Sequence, residues 1–322
     1  MLLKIREKKD RGFHRNGRGI LDSKSEFIRR GKMKYGIYFA YWVREYVDEF
    51  TQFIPRAKKD GFDILEIGAF DLVKQNDAYF EHLNEAAKEY DMILTAGYGP
   101  SRQYNIASKD TAAVEKALVF YENMFRQLQK ANIHSIGGGL YSYWPVTDVA
   151  DLDKEGDFDR SVQGMKKMAD LASRYDVTLN MESLNRFEGY LINTAEEAVK
   201  YVEAVDKPNV RIHLDTFHMN VEEVSITDAI KTAGKYLGHF HVGEANRQPP
   251  KPGRMPWAEI GKALKEVSYD KYVVFEPFVL KGGKVGEDIH LWRDLSGGAD
   301  EEEMDRTLAS SLAYLKKTFS EA

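Results

Sequence analysis

The chain has 322 residues, 43% of them hydrophobic, and its 46 Lys and Arg against 51 Asp and Glu leave a net charge of −5. That length suits one large α/β domain, and the mild acidity denies it the basic face that a nucleic-acid binder needs. The absence of cysteine excludes disulfides and thiolate zinc sites and fits a cytoplasmic setting, while the lack of a long apolar run or signal-peptide pattern gives no membrane partner.

Residues 1–32, "MLLKIREKKDRGFHRNGRGILDSKSEFIRRGK", are rich in Lys and Arg and show no sustained periodicity. Glu7, Asp10, Asp22 and Glu26 interrupt the basic run. The segment therefore reads as a disordered leader, or as one upstream of a start at Met33, before it reads as a nucleic-acid arm or a transit peptide.

From Met33 a rhythm begins. Short β-branched or aromatic runs of strand length occur at 35–39, 63–67, 91–96, 133–137, 177–182, 210–215, 237–242 and 272–277. Helical stripes lie between them. Phe80, Leu83 and Ala87 share one face; Val114, Leu118, Tyr121, Phe125 and Leu128 make a longer one. "TAEE" at 194–197 predicts a capping box, with Thr194 accepting from the backbone and Glu197 reaching back. Trp257, Ile260, Leu264 and Val267 form the next stripe, and Met304, Leu308, Leu312, Leu315 and Phe319 the last.

Eightfold strand–helix alternation means a parallel sheet, because each parallel crossover needs a helix. Residues 33–322 are predicted to form a single (β/α)8 TIM barrel, with a doubly wound open sheet as the structural alternative. Closure is favoured because no Gly-rich dinucleotide fingerprint follows the first strand, where "AYWVREY" stands instead. Polar groups at the ends of many strands also need a common axis to meet.

Side chains alternate along a strand, so Asn180 pairs with Glu182, His213 with Asp215, His239 with His241, and Val274 with Glu276. The second member of each pair falls at the carboxyl end, the face on which barrel enzymes place their chemistry. A lone strand-end carboxylate is more often a cap or an ion-pair member than a ligand. Three acids and one imidazole at one mouth would repel without a cation, and such an oxygen-rich set suits Mn²⁺, Mg²⁺ or Co²⁺ better than structural zinc. His239 reads as a core histidine, and His82, His134 and His290 as surface or loop residues. Glu188, His218 and Arg247 fall in the loops just past those strands, as do Tyr38, Tyr41, Trp42, Tyr141, Tyr143, Trp144 and Phe278. Aromatic walls with a few polar hooks describe a pocket for a small polyol or sugar, although rim packing is the plainer role for most of these rings.

The segments "YGIYFAYW", "GFDILEI", "LTAGYGP", "IGGGLYSYWP", "ESLNRFEGYLINT", "LDTFHMNVEE", "AGKYLGHFHVGEANR", "GRMPWAEIG", "FEPFV" and "WRDLSGGAD" closely resemble the ketose 3-epimerases of the xylose-isomerase-like barrels. The resemblance runs from about Met33 to the last helix. It implies an isomerase that epimerises free ketohexoses at C3 (D-fructose/D-psicose, D-tagatose/D-sorbose), with one divalent ion, Mn²⁺ or Co²⁺, and a homodimer or homotetramer. It assigns the ion to Glu182, Asp215, His241 and Glu276, acid/base work to Glu182 and Glu276, and substrate contact to Glu188, His218 and Arg247. Tyr38, Gly139, Trp144 and Phe278 match its pocket wall. Ser183, where an aliphatic residue is expected, and Gly139, where some relatives carry alanine, are departures that bear on sugar preference.

Residue types alone leave rivals open. An aldose–ketose isomerase would use similar parts. Arg247, Lys251, Arg254 and Lys281–Lys284, in the loops after strands seven and eight, leave room for a phosphosugar epimerase or isomerase. A metal-dependent endonuclease would want more histidines and a basic surface. A non-catalytic sugar-binding barrel is the reading from another class.

Overall fold

The computed structural model describes residues 33–146, 149–150 and 152–322. The basic segment 1–32 lies outside the described residues.

Eight strands pair in sequence order into a closed parallel barrel. They are β1 (Lys34–Tyr38), β2 (Ile64–Gly68), β3 (Ile93–Gly97), β4 (Ser135–Gly138), β5 (Thr178–Glu182), β6 (Val210–Asp215), β7 (Leu237–Val242) and β8 (Tyr272–Phe275). Closure comes from β1 against β8, with Gly36 opposite Val274 and Ile37 opposite Phe275. The eight runs read from the sequence are thus the eight strands, displaced by a residue or two at their ends. β8 stops at Phe275 rather than running to 277, since Pro277 has no N–H to continue a ladder.

Helices α1 (Phe53–Lys59), α2 (Ala69–Leu72), α3 (Asp77–Glu89), α4 (Thr111–Lys130), α5 (Lys154–Ser173), α6 (Ala195–Val205), α7 (Thr216–Glu222), α8 (Ile226–Ala233), α9 (Trp257–Glu266), α10 (Gly283–Asp288) and α11 (Glu301–Glu321) fill the crossovers. Their starts are chemically marked. Side chains of Asn76, Asp110, Asp153, Thr194, Asp215, Ser225 and Asp300 each accept from a backbone N–H of the first turn. The stripes read from the sequence face the barrel, with Leu83, Tyr121, Phe125, Leu128, Leu264 and Leu308 fully buried. α5 carries no long aliphatic stripe; it packs through Met165, Met168, Ala169 and Ala172, a pattern too weak in hydrophobicity to stand out.

One expected cap forms only by half. Thr194 Oγ1 accepts from Glu197 N at 3.2 Å, but Glu197 Oε2 accepts from Asn193 N at 2.7 Å rather than from Thr194. Lys154 holds the other Glu197 oxygen at 2.5 Å, which draws the carboxylate past the cap residue. A complete capping box forms instead at α11, between Asp300 and Glu303.

Parallel strands buried on both faces need a packed interior as well as a helical coat. Here the interior is partly polar. His213, His239 and His241 are each no more than 3% exposed. Their rings stand edge to face, with centroids 4.0 Å apart for His213 and His241 and 4.8 Å for His213 and His239. Gly137 on β4 makes the room: a Cβ there would lie 2.8 Å from His213 Nδ1. The wide end of the barrel, beyond these imidazoles, opens into a cavity of about 640 Å³.

Candidate active site

The carboxyl ends of four consecutive strands supply the floor of that cavity. Glu182 ends β5, Asp215 ends β6, His241 is the penultimate residue of β7, and Glu276 follows the last residue of β8. One ligand atom from each lies within 4.8 Å of the others. Because β6 and β7 stand between β5 and β8, the two glutamates flank the aspartate and the histidine. Asp215 also serves locally, since Oδ1 caps α7 by accepting from Phe217 N at 2.8 Å. Its Oδ2 is left to face the cluster.

Charge around the floor is paired with care. Arg247 Nη1 lies 2.9 Å from Asp215 Oδ2 and 2.6 Å from Glu276 Oε2, and Nη2 lies 3.7 Å from Glu188 Oε1. Its guanidinium carbon sits 3.8 Å from the ring centroid of Phe217 and 5.2 Å from that of Phe278, two faces that a planar cation fits. Arg247 holds a left-handed backbone, φ 66°, in the loop after β7.

These surroundings move the two glutamates in opposite directions. Burial, and then the charge of Glu276, holds the Glu182 carboxyl well above the usual carboxylate range. Burial pushes Glu276 up as well, but His241 and Arg247 outweigh it and hold that carboxyl low. Two carboxyls driven apart in this way can give a proton on one side and take one on the other.

His218, at the start of α7, is oriented by the loop after β5. Asn185 N donates to His218 Nδ1 at 3.2 Å, which makes Nδ1 the acceptor and puts the ring hydrogen on Nε2. Nε2 then faces Glu182 Oε1 at 3.5 Å and the cavity. Glu188 accepts from Trp144 Nε1 at 3.1 Å and from Asn185 Nδ2 at 3.0 Å. Burial acts to raise Glu188, yet His218 and Arg247 keep it below the ordinary range, so it stays an anionic acceptor.

Of the residues singled out in the sequence, Glu182, Glu276, His241, Glu188, His218, Arg247, Tyr38, Gly139, Trp144 and Phe278 all line the cavity. Asp215, 1% exposed, lies just beneath it. Tyr41 and Tyr141 are rim packing: their hydroxyls donate to the carbonyls of Met304 at 3.2 Å and Glu182 at 2.8 Å. His82, His134 and His290 are on the surface. Ser183, one of the two departures noted above, turns away from the cavity and donates to Thr194 O at 3.4 Å. Gly139 does face it, and a methyl group there would come within 3.2 Å of Leu184 Cδ1.

Sequence reasoning missed Glu66 and Asn185. Glu66 lies inside the run at 63–67 and reads as one polar interruption of an apolar strand. The signal was its phase: it shares a strand face with Ile64 and Gly68, the inward one. Asn185 gave no signal beyond lying in the loop that carries Glu188.

The donor set of the floor fits a hard divalent ion. It offers three carboxylates and one imidazole, and His241 Nδ1, buried, has no hydrogen-bond partner. Oxygen-rich sets of this kind favour Mn²⁺, Mg²⁺ or Co²⁺ over structural zinc.

Comparison with known proteins agrees with this architecture. Residues 54–317 match the xylose isomerase-like TIM barrel family. A D-psicose 3-epimerase from Agrobacterium fabrum is 47% identical over 282 residues, which is 88% of this chain and 98% of that one. A solved D-psicose 3-epimerase in the presence of D-fructose superposes with a TM-score of 0.87 at 46% identity, over 89% of this chain and 99% of the other. Another, from Clostridium cellulolyticum with D-tagatose, gives 0.88 at 47% identity over 89% and 99%.

Proposed function

Because the chain belongs to the xylose isomerase-like TIM barrel family, and within it to the ketose 3-epimerases, we propose that it interconverts free ketohexoses at C3, D-fructose with D-psicose and D-tagatose with D-sorbose. The observation that carries this reading is the cluster of Glu182, Asp215, His241 and Glu276 at the floor of an aromatic-walled cavity.

The chemistry follows from the substrate. The C3 proton of a ketose is α to the C2 carbonyl. Removing it sends the electron pair toward the carbonyl oxygen and gives an enediolate; returning a proton on the other face inverts C3. One carboxylate takes the proton and a second carboxyl, across the carbon, delivers one. Glu182 and Glu276 fill these roles, each acting as base in one direction and as acid in the other. Glu182, Asp215, His241 and Glu276 would hold a divalent ion, Mn²⁺ or Co²⁺, whose Lewis acidity stabilises negative charge on the carbonyl oxygen. Arg247 adds a fixed positive charge beside that oxygen. The Nε2–H of His218 and the carboxylate of Glu188 bind the sugar hydroxyls and fix the chain against the wall of Tyr38, Trp144 and Phe278.

The basic loop residues give the phosphosugar alternative little support. Arg247 is spent on carboxylates, and Lys284, the only lysine among the described cavity-lining residues, is paired with Asp288. Lys251, Arg254 and Lys281 are not among the lining residues. The homodimer or homotetramer that the family resemblance implies is read by multi-angle light scattering.

A proton-NMR time course in deuterated water tests the function. With added Mn²⁺ and D-fructose, the expected result is D-psicose carrying deuterium at C3, lost on chelation. Turnover of D-ribulose 5-phosphate but not of free ketoses would replace this reading with the phosphosugar one. A protein that binds Mn²⁺ and D-fructose and turns over neither would replace it with a sugar-binding one.

A further inference from the structure

Glu66 enters the barrel from β2 and stands on the far side of His241 from the carboxylate cluster. It is 1% exposed. Oε1 accepts from His241 Nε2 at 2.8 Å, and Oε2 accepts from Thr95 Oγ1 at 2.8 Å. Thr95 is its direct register partner on β3, so the orienting hydroxyl is fixed by the sheet. Oε2 also lies 3.0 Å from His239 Nε2, a close contact without hydrogen-bond alignment.

An ionised carboxylate can only accept. His241 Nε2 must therefore carry the ring hydrogen, and in the neutral imidazole the lone pair sits on Nδ1. Nδ1 is the atom 3.5 Å from Glu276 Oε2, on the side of the cluster. A neutral imidazole without this partner divides between two tautomers, and only one of them presents a lone pair to a cation. The same carboxylate sets the ring plane, makes the imidazole a stronger donor and adds negative charge behind it.

We propose that Glu66, aligned by Thr95, is a positioning residue that holds His241 in its Nε2–H form so that Nδ1 serves as a metal ligand. The inference rests on the reading of Glu182, Asp215, His241 and Glu276 as a divalent-ion site. It extends that site to strands β2 and β3, which contribute none of the four ligands. Burial of a carboxylate at this depth is costly unless it is paired, and its two closest hydrogen bonds are spent on the ring and on the hydroxyl that aims it.

The test is Mn²⁺ binding to the full chain, by calorimetry and electron paramagnetic resonance, for the parent, Glu66→Ala, Glu66→Leu, Glu66→Gln and Thr95→Val. Nitrogen-15 spectra of the histidine rings, taken without metal and at a pH alkaline enough to leave His241 neutral, read the tautomer directly. For Glu66→Ala the Kd is expected to rise ~10–100-fold, with the His241 signals moving from the Nε2–H pattern toward a mixture. Glu66→Gln can still accept from His241 Nε2 through its oxygen while its N–H donates to the Thr95 hydroxyl, so it keeps the ring pattern and loses only the negative charge behind the imidazole. Glu66→Leu, which can do neither, decides the matter if the alanine variant does not fold. Thr95→Val shows the alanine variant's change more weakly. Parental Kd and an unchanged ring pattern in folded Glu66→Ala or Glu66→Leu would overturn the proposal. A parent that fails to bind Mn²⁺ at all would instead overturn the metal reading beneath it.

Discussion

Arg247 Nη1 donates to Glu276 Oε2 at 2.6 Å, a bond between the loop after β7 and the end of β8. The same nitrogen reaches Asp215 Oδ2 at 2.9 Å. The planar cation is clamped between Phe217 and Phe278, so its position is set by packing as well as by charge.

A lysine at 247 keeps the charge but loses the plane and the fork. Arg247→Lys is expected to fold normally and to lose ~10²-fold in kcat/KM for D-fructose epimerisation, mostly in kcat. Steady-state kinetics beside a circular dichroism spectrum check it. An equal loss through KM alone would assign Arg247 to uniform binding instead.

Replacing one glutamate at a time should break the symmetry of the reaction. Glu182→Gln and Glu276→Gln are each expected to lower kcat by ~10²–10⁴-fold. The surviving carboxylate can still abstract from its own face. Each variant should therefore wash the C3 deuteron out of one epimer and leave it in the other, and the two variants should choose opposite epimers. NMR of C3-deuterated D-fructose and D-psicose reads this; washout from both epimers by either variant would exclude the two-face arrangement.

The strand end that opens the cavity depends on Gly138. Its φ is +125°, and a Cβ there would lie 2.2 Å from the carbonyl oxygen of Tyr98. Both the backbone and the contact exclude a side chain. Gly138→Ala is expected to cost about 2–3 kcal/mol of stability, measured by denaturant unfolding. A loss below about 0.5 kcal/mol would show that the β4 end shifts freely.

Far from the site, Asp60 caps the C-terminus of α1 and is 6% exposed, with Oδ2 lacking a hydrogen-bond partner. Burial, and then the nearby charge of Asp305, pushes it up to about 7 against the opposing pull of Arg56 and Lys59. An acid raised in the folded state contributes stability in full below its unfolded value. That contribution is lost as pH climbs through the folded one. Asp60→Asn, which cannot ionise, should thus match the parent near pH 4. It should gain on the parent by on the order of 1 kcal/mol up to pH 7–8, where the gain levels off. Urea unfolding at pH 4.5, 6 and 8 checks the slope; a gain that shrinks with rising pH would reverse the sign.

Strand positions were legible because a barrel strand is buried on both faces and reads as a compact apolar run. Glu182, Asp215, His241 and Glu276 were legible because strand alternation puts each at a carboxyl end. Asn185 was not legible, since its work is to turn the ring of His218, and orientation leaves no spacing pattern. Glu66 was hidden by its apolar neighbours Ile64, Leu65 and Ile67. Only the closed barrel, not the strand itself, shows that its inward face meets β7. The cap at 194–197 was half right because a tertiary partner, Lys154, competes for Glu197, and no local motif can register that.

Glu66 and His241 are 175 positions apart along the chain. While the polypeptide is still emerging from the ribosome, the early strands carry a carboxylate whose imidazole partner has not yet been synthesised. Glu276 comes later still. Contacts of such long range form only once the intervening loops have closed. The four residues of the candidate metal cluster therefore stay scattered, with no shared geometry, until the last strand has docked against the first.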